Sequence, residues 1–121
     1  MAYRIELSEG AVRDLETVFD FLIESYLSLG DTVEDALERA AARLHRIEDA
    51  AESLREFPRR ATTDPDLPAG IRSLIREGAI LYFEIDEAAE LIRVLAIFLA
   101  GQDHRRRMLL RAVRPEGRPS D

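Results

Sequence analysis

Residues 70–107 read GIRSLIREGAILYFEIDEAAELIRVLAIFLAGQDHRRR, and this stretch decides the fold. Along Ile71 to Arg76 the side chains alternate, with Ile71, Ser73 and Ile75 on one face and Arg72, Leu74 and Arg76 on the other. That period of two is a strand's. Glu77 and Gly78 supply a tight turn, glycine giving the positive φ that a two-residue connection needs. A second strand follows from Ala79, with Leu81, Phe83 and Ile85 opposed to Ile80, Tyr82 and Glu84, and the loop Asp86 to Glu90 closes the next hairpin. In the third strand, Leu91 to Leu99, only Arg93 interrupts an aliphatic and aromatic run. Both faces must therefore be covered over most of its length, which places it at the centre of the sheet.

Working outward, Tyr3, Ile5 and Leu7 alternate with Arg4, Glu6 and Ser8, a half-buried strand that has to pair with the later sheet. Ser8 can cap the helix after it. Leu15, Val18, Phe19, Leu22 and Tyr26 recur at three- and four-residue intervals, and Glu9, Asp14 and Glu16 lie near the positive end of the helix dipole. Phe21, Ile23, Leu27 and Leu29 form a further apolar set that a helix resting on one surface would not need. Gly30 ends this helix, and Thr32 with Asp35 reads as a capping box for the next. Leu37, Ala40, Ala41, Leu44, Ile47, Ala51 and Leu54 keep helical spacing up to Phe57, where Pro58 stops it. The alanines allow two antiparallel helices to approach closely. Residues 59–69, with Pro65 and Pro68, read as an irregular link. At the other end, residues 102–113 suggest a short helix with Met108, Leu109 and Ala112 inward and the arginines outward. Residues 114–121 read as a flexible tail, so the domain is expected to span residues 1–113.

The expected class is thus α+β in the order strand, helix, helix, strand, strand, strand: a helical hairpin on a small, mainly antiparallel sheet, with a short basic C-terminal segment. A chain of 121 residues suffices for one core. With 46% hydrophobic and 34% charged residues it is neither disordered nor membrane-spanning, since its longest apolar run, Val94 to Ala100, is too short for a span. It has no cysteine and no signal-peptide pattern precedes Ile5, so a cytoplasmic location is expected, without disulfides or thiolate metal sites.

The net charge of −7 is unevenly placed: residues 1–57 carry 14 acids and 6 bases, and residues 58–121 carry 10 acids and 11 bases, giving −8 and +1. Such an acidic surface opposes general phosphate binding, so no direct sequence-specific nucleic-acid binding is expected. All 17 basic residues are arginine, which suits bidentate contacts but also reflects compositional bias. His45 and His104 are too isolated to hold a metal, no glycine-rich phosphate loop with lysine exists, and no cofactor is expected.

Several landmarks in this order resemble the RelE/ParE superfamily of bacterial type II toxins, the family of plasmid-stabilisation proteins, over nearly all of residues 3–113. They are the opening Tyr-Arg-Ile-Glu-Leu-Ser, the Asp14-Leu15 pair, the Leu-x-x-Phe-Pro of Leu54 to Pro58, and the Gly70-Ile71-Arg72 entry to the sheet. Ile80 to Asp86 and Ile92 to Leu95 complete them. The resemblance implies a toxin bound by a small cognate antitoxin in a hetero-oligomer. It also implies one of two targets: DNA gyrase in the ParE branch, or messenger RNA on the ribosome in the RelE branch.

The nuclease branch carries several basic side chains on the second and third strands and often a late tyrosine, to stabilise transition-state charge and move protons. Here Arg72 and Arg76 remain, but Leu74 and a residue within Ala79 to Leu81 stand at other basic positions, and no tyrosine follows Tyr82. The sequence therefore fits a ParE-like gyrase inhibitor with a ParD-like antitoxin, and no catalytic residue is assigned. The alternatives are a RelE-like ribosome-dependent mRNA endonuclease and a non-toxic binding homologue. The target-contact candidates are Arg72, Arg76, His104, Arg105, Arg106 and Arg107. Arg72 and Arg76 have a structural alternative, pairing with Glu48 or Glu52 of the second helix. The antitoxin-groove candidates are Phe21, Ile23 and Leu27 of the first helix with Leu95, Ile97 and Leu99 of an exposed sheet face.

Overall fold

The computed structural model describes residues 3–56, 58, 61–63, 65–100, 107–108 and 110–111. Strand β1 (Arg4–Leu7) leads into helix α1 (Glu9–Ser28) and helix α2 (Val33–Glu52). A 3-10 turn at Ser53–Arg55 precedes β2 (Thr62–Thr63), β3 (Ile71–Arg76), β4 (Ala79–Asp86) and β5 (Leu91–Leu99). The α+β order expected from the sequence is the observed one, with β2 added where the sequence reads as an irregular link. Two residues paired to Arg72 and Ser73 leave no periodic signal.

The caps form as their residue types dictate. The Ser8 hydroxyl accepts from the Ala11 N–H at 3.1 Å, and the Thr32 hydroxyl from the Asp35 N–H at 3.1 Å. Between the helices, Gly30 and Asp31 return their N–H groups to the carbonyls of Leu27 and Tyr26, which reverses the chain in a few residues. Helix α2 stops at Glu52, earlier than the expected Phe57, because the stripe up to Leu54 finishes in the 3-10 turn; Phe57 lies outside the described residues.

The sheet order is β1-β5-β4-β3-β2, with β1 parallel to β5 and the other pairs antiparallel. Both β4 and β5 are therefore interior, and β4, not β5, is the middle strand, because β2 adds a fifth at the far edge. The β3–β4 connection is a two-residue turn with φ 55° at Glu77 and 72° at Gly78, the doubly positive pattern that matches strand twist. Helix α2 holds it: Arg43 Nε donates to the Glu77 carbonyl at 3.0 Å, and Arg46 Nε lies 3.5 Å from the Glu77 carboxylate. A Cβ on residue 78 would run into the Arg43 guanidinium. Gly78→Ala is accordingly expected to cost about 1–2 kcal/mol from left-handed backbone strain and displacement of Arg43, measured as a lower urea midpoint at constant slope.

Where β4 meets β5 the register slips between Tyr82 and Phe83: Tyr82 opposes Ala96, whereas Phe83 opposes Val94. Leu95 is the extra residue of a β-bulge. It shifts the alternation of β5 by one, so Ile97 and Leu99 join Ile92 and Val94 beneath the helices, while Leu95, Ala96 and Phe98 belong to the cluster on the opposite face. Leu81, Phe83, Ile92 and Val94 are fully enclosed with Leu15, Val18, Leu22 and Ile47 from the helices. The opposite face buries Ile80, Tyr82, Leu95 and Phe98 under Leu67 of the link and Met108 of the C-terminal segment. The exposed sheet face expected from the sequence is thus a second core.

Candidate functional site

Strand β1 leaves β5 at Val94, and β5 continues without a strand partner on that side. Its buried backbone groups must find other partners. The Ser8 hydroxyl donates to the Leu95 carbonyl at 3.2 Å, and the Ile97 N–H donates to Asp14 Oδ2 at 2.9 Å. Asp14 is the buried carboxylate of α1, only 8% exposed. Arg111 completes the site with two short hydrogen bonds, from Nη1 to Asp14 Oδ2 at 2.6 Å and from Nη2 to Asp14 Oδ1 at 2.8 Å, and Nη1 also reaches the Leu95 carbonyl at 3.1 Å. The planar fork of arginine fits the two carboxylate oxygens, which lysine could not do.

This clamp fixes Arg111 against α1 and the bulge. A Cβ on residue 10 would stand 3.1 Å from Arg111 Nη1, so glycine at that place leaves the guanidinium its path. Arg111 and Arg107 lie over the Phe98 ring, at 5.2 Å and 5.9 Å from its centroid. Arg107 and Met108 are helical, as are Leu110 and Arg111; Met108 is buried as expected, and Arg107 is exposed. Arg111, expected to point outward with the other arginines, points inward. The signal was available: Asp14 interrupts an apolar stripe running through Ala11, Val18 and Leu22, and a carboxylate on such a stripe requires a partner. Reading Asp14 as a dipole acid missed it.

The target-contact candidates divide. His104, Arg105 and Arg106 lie outside the described residues, as do Leu109, Ala112 and the tail 114–121. Arg107 presents its charge beside the clamp. Arg72 and Arg76 sit on the helix side of β3, in register with Phe83 and Ala79. Their expected pairing with Glu48 or Glu52 does not form: Glu48 faces His45 at 3.4 Å and Glu52 pairs with Arg55 at 2.7 Å. Arg72 instead donates to the Ala61 carbonyl at 3.2 Å, joining the link to the sheet. Arg76 remains exposed next to the turn held by Arg43 and Arg46, a local basic group on an acidic molecule.

The antitoxin-groove candidates are not one surface. Leu95, Ile97 and Leu99 are 6%, 1% and 6% exposed, buried on two different faces because of the bulge. Ile23 is half-buried against the helix-side core. Phe21 and Leu27 are exposed, but at about 100° per residue they lie about 120° apart around α1 and make no common stripe. Among the described residues, no three His, Asp or Glu side chains converge as metal ligands.

No protein-family model matches the chain, and no curated protein does. Solved structures do match. One described as the chromosomal ParDE toxin-antitoxin system from P. aeruginosa aligns with a TM-score of 0.62 at 19% identity, over 82% of this chain and 97% of that one. A mutant of the E. coli toxin RelE in the free state aligns at 0.58 and 10% identity, over 92% and 97%. The RelBE2 toxin-antitoxin complex from Mycobacterium tuberculosis aligns at 0.51 and 20% identity, over 82% and 99%. The fold is therefore that of RelE/ParE toxins, along essentially the whole length of each.

Proposed function

We propose that a chain with this RelE/ParE-type fold is the toxin of a type II toxin-antitoxin pair. In the ParE-like form of this reading, it inhibits DNA gyrase by binding and is neutralised by a ParD-like antitoxin. Support for a toxin comes from the fold, and support for the ParE-like form comes from strand β4. Ala79, Ile80 and Leu81 are 0%, 3% and 0% exposed, so the stretch where the nuclease branch carries a basic side chain is core in this protein. Tyr82 is equally buried, at 1%, and packs edge-on against Phe98 at 6.2 Å, so its hydroxyl is not presented to a substrate. The stretch Ala79 to Phe83 of β4 thus presents no side chain for proton transfer, which favours action by binding.

One observation favours the nuclease alternative: Arg43, Arg46 and Arg76 gather at the β3–β4 turn, a basic group of the kind that meets a phosphate backbone. Induced expression in a bacterial host separates the readings. Growth arrest with induction of a DNA-damage reporter, relieved by co-expressing an antitoxin-like protein if one is encoded beside the gene, is the expected result. Arrest with messenger RNA cleaved in the ribosomal A site and no DNA-damage signal would replace gyrase by the ribosome. Unimpaired growth despite folded protein in the cell would leave only the non-toxic binding homologue.

A further inference from the structure

The sheet has two edges, and they differ. Strand β2 ends one of them with two residues, and β1 ends the other with four. Arg4 N donates to the Glu90 carbonyl and Ser8 N to the Val94 carbonyl, each at 2.9 Å, so the even-numbered residues of β1 face β5. Successive peptide groups of a strand point to opposite sides, and Ile5 and Leu7 therefore turn their N–H and C=O groups away from the sheet. No bulge or proline interrupts Arg4–Leu7, so this edge keeps the shape that accepts another strand.

The side chains of β1 narrow the choice of strand. On the helix side, Tyr3, Ile5 and Leu7 are half-buried against the core and keep part of their apolar surface at the edge. On the other face the register places Glu84, Arg93 and Glu6 in one row across three strands. Their charges alternate, with Arg93 Nη1 at 3.8 Å from Glu84 Oε1 and Arg93 Nε at 3.2 Å from Glu6 Oε1. The row ends at the open edge on a carboxylate, with two acids to one base. Arg4, two residues along the same face of β1, is exposed and makes no ion pair among the described residues.

We infer that β1 pairs with β1 of a second copy, antiparallel about a two-fold axis at Ile5, joining the two five-stranded sheets in a closed dimer. Ile5 then exchanges both its backbone hydrogen bonds with Ile5 of the second copy, and Tyr3 pairs with Leu7 on either side of it. Arg4 comes opposite Glu6 of the other copy, twice by symmetry, and continues the row Glu84, Arg93, Glu6 with the base it lacks. Charge excludes the neighbouring registers: an axis at Glu6 sets Glu6 against Glu6, and an axis at Arg4 sets Arg4 against Arg4. The net charge of −7 on each copy opposes association, and two short strands make a small contact, so the dimer is weak. The pairing requires only the β1 edge, whether or not the chain is a toxin.

Sedimentation equilibrium of the full chain from about 10 µM to about 1 mM, in about 0.15 M salt, tests it. The weight-average mass is expected to climb from that of a monomer towards that of a dimer, and amide exchange at Ile5 and Leu7 should slow over the same range. Arg4→Glu alone and Glu6→Arg alone, each checked for its fold by circular dichroism, set like charges opposite each other and should weaken association at least about tenfold. An equimolar mixture of these two variants should regain association, because each altered edge then meets opposite charge on the other. A monomer throughout the range, with Ile5 and Leu7 amides exchanging freely, would overturn the proposal and leave the edge to a strand from another protein. So would a dimer indifferent to both substitutions, which would place the contact on another face, or a mixture that associates no better than either variant alone.

Discussion

Asp14→Ala is expected to destabilise the protein by about 3 kcal/mol, the cost of breaking a buried, hydrogen-bonded ion pair when the remaining partner keeps some access to water. Three groups lose the carboxylate together: the Ile97 N–H and Nη1 and Nη2 of Arg111, of which Nη1 keeps the Leu95 carbonyl. The Ile97 N–H is the most expensive of them, since Ile97 is 1% exposed and β5 has no strand partner on that side. Asp14→Asn keeps an oxygen for Ile97 and for Arg111 Nη1 but loses the negative charge and sets its NH2 group against Arg111 Nη2, so its effect should be smaller than that of Asp14→Ala without vanishing. Arg111→Met keeps an apolar stem against Phe98, and a double-mutant cycle with Asp14→Asn should return a coupling above about 1 kcal/mol. Chemical denaturation measures all four proteins. A loss below about 0.5 kcal/mol for Asp14→Ala would reduce the clamp to a surface contact.

Phe83→Ala should be the most damaging single truncation, at about 3–5 kcal/mol. Phe83 is 0% exposed and stands beside the register slip, so its ring fills the space between the helices and the bulged strand. A domain of this kind has about 5–15 kcal/mol in all. Thermal unfolding should therefore shift downward by roughly 10 °C or more. Ile75→Ala on β3 is the matched control: its side chain is 65% exposed, and its removal should change stability by less than about 0.5 kcal/mol.

These two positions also mark how far the sequence could be read. Local signals carried most of the architecture. Ser8 and Thr32 announce their helices by chemistry that acts within three residues, and Glu77-Gly78 announces its turn by a backbone angle. The apolar run of β5 requires cover on two sides, and Leu67 and Met108 supply the second. Long-range features left weaker traces. The bulge at Leu95 depends on β4 and β5 slipping past each other, so simple alternation put Leu95, Ile97 and Leu99 on one open face when they are buried on two. The partner of Asp14 lies 97 positions away, and only the misplaced charge on an apolar stripe hinted at it. The apolar set Phe21, Ile23, Leu27 and Leu29 reads as one surface in the sequence but is not one in the structure, since Ile23 packs on the helix-side core and Phe21 and Leu27 lie about 120° apart around α1.

The resemblance to RelE/ParE toxins and the fold agree, and the gyrase reading makes a direct claim about one reaction. Its most direct test is supercoiling of relaxed plasmid by purified gyrase with increasing amounts of this protein. The account predicts loss of supercoiling with accumulation of linear DNA, and recovery of supercoiling when Arg105→Ala, Arg106→Ala and Arg107→Ala are combined in a protein that still folds. Undiminished supercoiling in the presence of excess folded protein would contradict it.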